Sequence, residues 1–299
     1  MAIDFSFIDH DVLGDVADAI RFVEGSTAGI APADYPQRIR ALDKYIPDYD
    51  VLNFYMPNGG VINLKKIGSA AIVELEYWLD ENGQWLIWQP DVDGNRSITL
   101  TAGQTMYVRN TSDTSTRFST GESDCYRFYF SEVTEAHGNV NSLLCKQPDN
   151  AILTSWCYRS LFSTTPITTA PRVPSTQLAS SCYYTMFYNC TQLEEAPELP
   201  ATSLAPSCYR FTFQGCTSLV KAPYLPAKTL SVASYYSTFI GCTSLSEVKT
   251  EMTDISANLS TYRWLLNVAS TGDFYCDPNL TIEIGDAGIP SGWTRHDLT

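Results

Sequence analysis

The chain has 299 residues, a formal net charge of −14, 44% hydrophobic residues and only 17% charged ones. That much apolar material can build two or three cored domains, while 19 Lys and Arg against 33 Asp and Glu disfavour binding to a phosphate backbone, which needs clustered cations. No run of about 18 apolar residues occurs, so no membrane insertion is expected, and the content of 18 Tyr, 13 Phe and 6 Trp favours β-structure and contact surfaces over helical bundles.

The first residues, MAIDFSFIDHDV, hold no basic stretch followed by an apolar core, so no secretory signal is expected. Residues 9–24 read as a helix: Val12, Val16, Ile20 and Val23 share one face, Asp11, Asp15 and Asp18 the other, Asp9 caps the start and Gly25 the end. A second short helix is expected over 32–42, with Tyr35, Ile39 and Leu42 on one side and Pro32 in the first turn; Pro36 delays its start. This pair, residues 1–48, is expected to be a helical module for attachment or oligomerisation.

Residues 50–135 read as β. The turn signals Asn58-Gly59-Gly60, Asn82-Gly83 and Asp93-Gly94-Asn95 separate the runs VINLKKIG, AIVELEYWLD, QWLIWQP, SITLTAG, TMYVRNTS and CYRFYFSEV. The spacing predicts an antiparallel β-sandwich over 49–136, acting as a spacer. Val140, Leu143 and Leu144 follow, as a cover for the first unit of what comes next.

From Ser181 the chain repeats itself. SCYYTMFYNCTQLEEAPELPATSL returns from Ser207 as SCYRFTFQGCTSLVKAPYLPAKTL, an offset of 26 residues; a third copy begins at Ser234, a degenerate one at Cys157 and a fading one at Thr261. Tyr183, Met186, Phe187 and Cys190 fit one face of a short helical turn with Ser181 as its N-cap. Leu193 and Ala196 fit a very short strand stopped by Pro197 and Pro200. Such a unit cannot bury its apolar row alone, so neighbours must stack, giving a solenoid over 137–299. A last strand is expected at Leu280–Ile284, with Trp293 helping to close the far end. The fold class is therefore mostly β, formally α+β: helix pair, sandwich, solenoid.

The columns Phe187, Cys190, Leu193, Ala196, Leu199, Pro200 and Phe213, Cys216, Leu219, Ala222, Leu225, Pro226 resemble the BspA-like, treponemal-type leucine-rich repeat of bacterial and phage surface proteins. The third copy departs, with Glu247, Val248 and Lys249 where Ala-Pro stands in the others, which predicts a less regular stack there. The segment DVADAIRFVEGSTAGIAPADYPQRIRAL resembles a short module of phage tail and fibre proteins. The β-region resembles the domain found ahead of such repeats in gut Bacteroidales and phage proteins.

The 9 cysteines fall largely into columns, Cys157, Cys182, Cys208 and Cys190, Cys216, Cys242, with Ser234 and Thr261 substituting in the first. They are expected to be buried free thiols rather than disulfides or metal ligands. Candidate chemistry is sparse. His10, His137 and His296 lie in different segments, no nucleophile elbow is present, and Asp91-Val92-Asp93-Gly94-Asn95 has its glycine in the wrong place for a calcium loop, so it reads as a hairpin turn. Glu194, Glu195 and Glu198 read as a solvated face rather than a glycosidase pair. No catalytic residue, metal or cofactor is expected.

One exposed column remains. The residue after the repeat tyrosine is Arg159, Tyr184, Arg210, Tyr236 and Arg263 in successive copies, a candidate ladder for acidic or sugar ligands. The strand-side residues Glu194, Glu198, Val220, Lys221 and Tyr224 form a second candidate face. The resemblances imply a non-enzymatic phage virion protein, a tail or head fibre or receptor-binding component made in the host cytoplasm and exposed on the virion surface. Its expected partners are other virion proteins through the N-terminal module, a host surface glycan or protein, and further copies of itself, a trimer among the options, but no nucleic acid. Alternatives are a purely structural decoration protein and a bacterial surface adhesin.

Overall fold

Buried and half-buried residues alternate strictly along the first strand, Asn53–Met56, of the computed structural model, which describes residues 51–79 and 84–298; the expected helix pair and the Asn82-Gly83 turn lie outside these residues. Eight strands precede the repeats: β1 (Asn53–Met56), β2 (Gly60–Ile67), β3 (Leu75–Leu79), β4 (Leu86–Ile87), β5 (Arg96–Leu100), β6 (Gln104–Asn110), β7 (Cys125–Phe130) and β8 (Thr134–His137). β5-β2-β7 form one antiparallel sheet, and β4-β3-β6-β1-β8 run antiparallel in another. The sheets face each other through Phe54 on β1, whose ring lies 4.8 Å from Phe128 and 5.1 Å from Phe130 on β7.

The six expected runs each hold a strand, while β1 and β8 were not foreseen as separate strands. The turns at Gly59 and Gly94 are present, both with positive φ, but they are not hairpins. Each joins strands of different sheets, β1 to β2 and β4 to β5. Asp91 Oδ1 accepts from the N–H groups of Asp93 and Asn95 at 2.9 and 2.8 Å, which closes the second turn.

The six-stranded sheet continues past residue 137, because β8 pairs in parallel with β9 (Ile167–Thr169) in the first repeat. From there a thin parallel ladder runs through single bridges, Thr169 to Glu195, Glu195 to Lys221 and Lys221 to Glu247. Prolines keep it thin: Pro171, Pro197 and Pro223 stand two residues after Thr169, Glu195 and Lys221 and have no N–H to extend the pairing. Lys249 occupies the corresponding place in the next copy, and there a true strand forms, β10 (Glu247–Lys249). Loss of Ala-Pro thus lengthens the strand instead of loosening the stack. β10 continues in parallel to β11 (Gly272–Cys276) and β12 (Trp293–Asp297). The strand expected at Leu280–Ile284 is absent; Ile284 makes only one bridge, to Ile289.

The fold is thus mostly β with three sheets, and no α-helix occurs among the described residues. That corrects both the α+β assignment for this region and the helical turn expected in each repeat. Ser181, expected to cap a helix, has φ 56°, and Thr185 and Asn189 follow at φ 52° and 54°. The left-handed residue recurs every four positions, so each repeat runs through consecutive tight turns. Alternate amides serve different partners. Those of Tyr184, Met186 and Tyr188 bond three residues back within the repeat, whereas those of Tyr183, Thr185 and Phe187 bond the carbonyls of Cys208, Arg210 and Thr212 in the next. The alternate amides that find no partner within the repeat are thus used to join neighbours.

This places identical side chains above one another. Tyr158, Tyr183, Tyr209 and Tyr235 stack at 5.8, 5.7 and 5.6 Å, and Phe162, Phe187, Phe213 and Phe239 at 5.5, 5.5 and 5.6 Å, with planes 3–10° apart. All 9 cysteines are free and buried. The second thiol column has a further role that the sequence reading missed: Cys190, Cys216 and Cys242 donate Sγ–H to the carbonyls of Phe162, Phe187 and Phe213 at 3.0, 3.1 and 3.0 Å. The stack is covered at one end by the turn Val140–Leu143 with Leu144, all buried. At the other, Trp293 donates Nε1–H to the Ala269 carbonyl.

Candidate functional site

The turn geometry decides which side chains point outward in a row. The amides of Thr185, Phe211 and Ser237 bond the carbonyls of Arg210, Tyr236 and Tyr262, which puts Arg159, Tyr184, Arg210, Tyr236 and Tyr262 in one column. The first four members are those the sequence indicates. The fifth is not: Arg263 shares the left-handed position with Ser160, Thr185, Phe211 and Ser237, one residue further along, and faces Asp286 at 3.8 Å. By the same register Ser260, not Thr261, continues the first thiol column, its carbonyl accepting from the Tyr235 amide.

Around the column lies a continuous aromatic row. Trp156 meets Tyr184 at 5.3 Å, Tyr184 meets Phe211 at 5.6 Å, Phe211 meets Tyr236 at 5.4 Å, all edge to face, and Tyr236 meets Tyr262 at 5.3 Å. Phe211 and Trp156 were not foreseen as members, because their left-handed columns otherwise carry no aromatic residue: Ser160, Thr185, Ser237 and Arg263 share that of Phe211, and Ser181, Ser207, Ala233 and Leu259 that of Trp156. The Arg210 guanidinium lies 4.3 Å from the Tyr236 centroid, 5.0 Å from Phe211 and 5.9 Å from Tyr184; Arg159 lies 5.8 Å from Tyr184. Neither arginine meets a carboxylate within ion-pair distance among the described residues, and Nε of each is without a partner. In a chain of net charge −14, two half-buried, unneutralised cations in an aromatic row stand out from the general surface.

The second candidate face also comes together. Glu194, Glu195, Glu198, Val220, Lys221 and Tyr224 line a shallow groove of about 430 Å³ along the parallel ladder. Here the one cation of the lining is already matched: Lys221 pairs with Glu247 at 3.2 Å, and Tyr224 donates Oη–H to Glu251. That bond, with some burial and the carboxylate charge, pushes the Tyr224 phenol up to about 12. Val220 is 47% exposed.

The histidines do not converge. His137 meets Glu135 on the same strand, β8, His296 on β12 meets Asp273 on β11, and His10 lies outside the described residues. No cluster of three or more His, Cys, Asp or Glu is placed to hold a metal among the described residues. The column thiols are no nucleophiles: burial raises the pKa of Cys157, Cys182, Cys190, Cys208, Cys216 and Cys242, which keeps them protonated and inert. Among known proteins, no family model, curated protein or solved structure matches the chain.

Proposed function

We propose that the protein is a non-enzymatic phage virion component, a fibre or receptor-binding part, whose sandwich holds a solenoid of BspA-like leucine-rich repeats against the bacterial surface. The observation that carries this reading is the outward row of Arg159, Tyr184, Arg210, Tyr236 and Tyr262: arginine and aromatic side chains are the residue types that dominate recognition energy, and here they repeat along one face. Several copies on one particle multiply weak contacts into firm attachment. The N-terminal module of residues 1–48 is assigned attachment to other virion proteins or oligomerisation, on its resemblance alone.

A second reading, a decoration protein with no ligand, is favoured by the way Arg210 already lies on three rings, where its stem and guanidinium cover apolar surface. Binding of the labelled full-length protein to a panel of Bacteroidales strains separates the two. Saturable binding that also blocks phage adsorption supports recognition. Its absence on every strain, with the protein present in purified virions by mass spectrometry, supports decoration.

A further inference from the structure

Resting on that recognition reading, we infer that the Arg/Tyr row takes a linear glycan bearing a carboxylate on every second sugar. The argument is one of register. The row advances by one repeat per rung: the buried tyrosine rings beside it are spaced 5.8 Å and 5.7 Å, and Tyr236 and Tyr262 in the row itself 5.3 Å. Arg159 and Arg210 are two rungs apart with Tyr184 between them, so positive charge returns at twice the step and an aromatic face fills the interval. A pyranose ring with its glycosidic oxygen is about one rung long. An alternating acidic and neutral polymer laid along the row therefore meets Arg159 and Arg210 at two successive acids, with the Tyr184 ring at the neutral sugar between them and the Tyr236 ring beyond. Arginine suits this role because its planar fork binds a carboxylate through two parallel N–H groups.

Other polyanions fit less well. An extended peptide advances about 3.3 Å per residue, so its same-side acids recur at about 6.6 Å and drift out of step within a few rungs. Double-stranded nucleic acid carries a charge every ~1.7 Å of axis, far denser than two arginines can match, and the chain's charge of −14 repels it. The groove along the ladder offers no rival for an acidic ligand, since its free charges are the carboxylates of Glu194, Glu195 and Glu198.

The test is calorimetric titration of the full-length protein with four probes of equal length: hyaluronan oligosaccharide with acid on alternate sugars, its carboxyl-reduced form, oligogalacturonate with acid on every sugar, and poly-glutamate. Hyaluronan is expected to bind tightest, with at least about ten-fold loss on carboxyl reduction. Arg159→Ala and Arg210→Ala should each weaken it by a similar factor, Arg210→Lys less, and Glu198→Gln in the groove not at all; thermal melts of each variant report whether folding is kept. Equal binding of poly-glutamate or oligogalacturonate overturns the register argument. So does binding that survives Arg159→Ala and Arg210→Ala in folded protein. If no probe binds while the protein still adheres to cells, the acidic-glycan inference fails and the recognition reading stands; if it adheres to nothing, both fail.

Discussion

Phe128 and Phe162 stack with centroids 5.5 Å apart and planes 10° apart, although one sits in an antiparallel strand and the other in the first tight-turned repeat. The Phe128 amide also donates to the Leu161 carbonyl at 2.8 Å. β7 thus serves as the base tier of the phenylalanine column, and the buried core runs without a break from the facing sheets into the repeats.

Phe162→Ala should destabilise the protein by about 3–5 kcal/mol, because Phe162 is packed between Phe128 and Phe187 and neither ring can move to fill the gap. Urea unfolding followed by circular dichroism measures this. A loss below about 1 kcal/mol would show that the two ring systems do not support each other.

Two glycines in one column should respond differently. Gly215 and Gly241 both have φ 75°, a conformation that costs an ordinary L-residue about 1–2 kcal/mol. A Cβ on Gly215 would strike the Asn189 side chain, whereas one on Gly241 has nothing nearer than 3.9 Å. Gly215→Ala should therefore lower the melting temperature more than Gly241→Ala. Gly241→Asn should be close to neutral, since Asn189 and Asn267 adopt the same backbone at φ 54° and 59°.

The thiol columns predict alkaline lability. Burial lifts Cys182 to about 12, Cys190 to about 11 and Cys242 to about 12, above the ordinary 9.0. The unfolded thiols ionise first, so the unfolded state gains as pH rises. Stability is intact below about pH 9 and declines from there towards the folded values, by about 1.4 kcal/mol per thiol per pH unit. Urea midpoints from pH 8 to 11 should fall, and Cys190→Ala should flatten the slope. A pH-independent midpoint would falsify the buried-thiol account.

The repeat was legible because a fixed offset forces the same side chains into the same place; the columns of Tyr, Phe and Cys follow from spacing alone. Its local conformation was not. Over the eight residues from Tyr183 to Cys190, a pattern at i, i+3, i+4, i+7 fits 3.6 residues per turn and also pairs of buried residues every four. The deciding signal was present: Gly215 and Gly241 share a column with Asn189 and Asn267, the residue types that tolerate a left-handed backbone. Misplacing the last copy by one residue put Arg263 in the row where Tyr262 stands. The strands of the facing sheets were readable from alternation, but β1, only four residues long, left too short a pattern, and no local signal tells that β8 would pair with β9, since that contact belongs to tertiary packing.

The inter-repeat amide bonds all point along the stacking direction, and that orientation has a mechanical result. A tether pulling on the far end loads the interfaces in series, so the weakest one opens while the rest stay shut. Extension would come as a sequence of small yielding steps, dissipating the pull instead of passing it whole to the base of the stack.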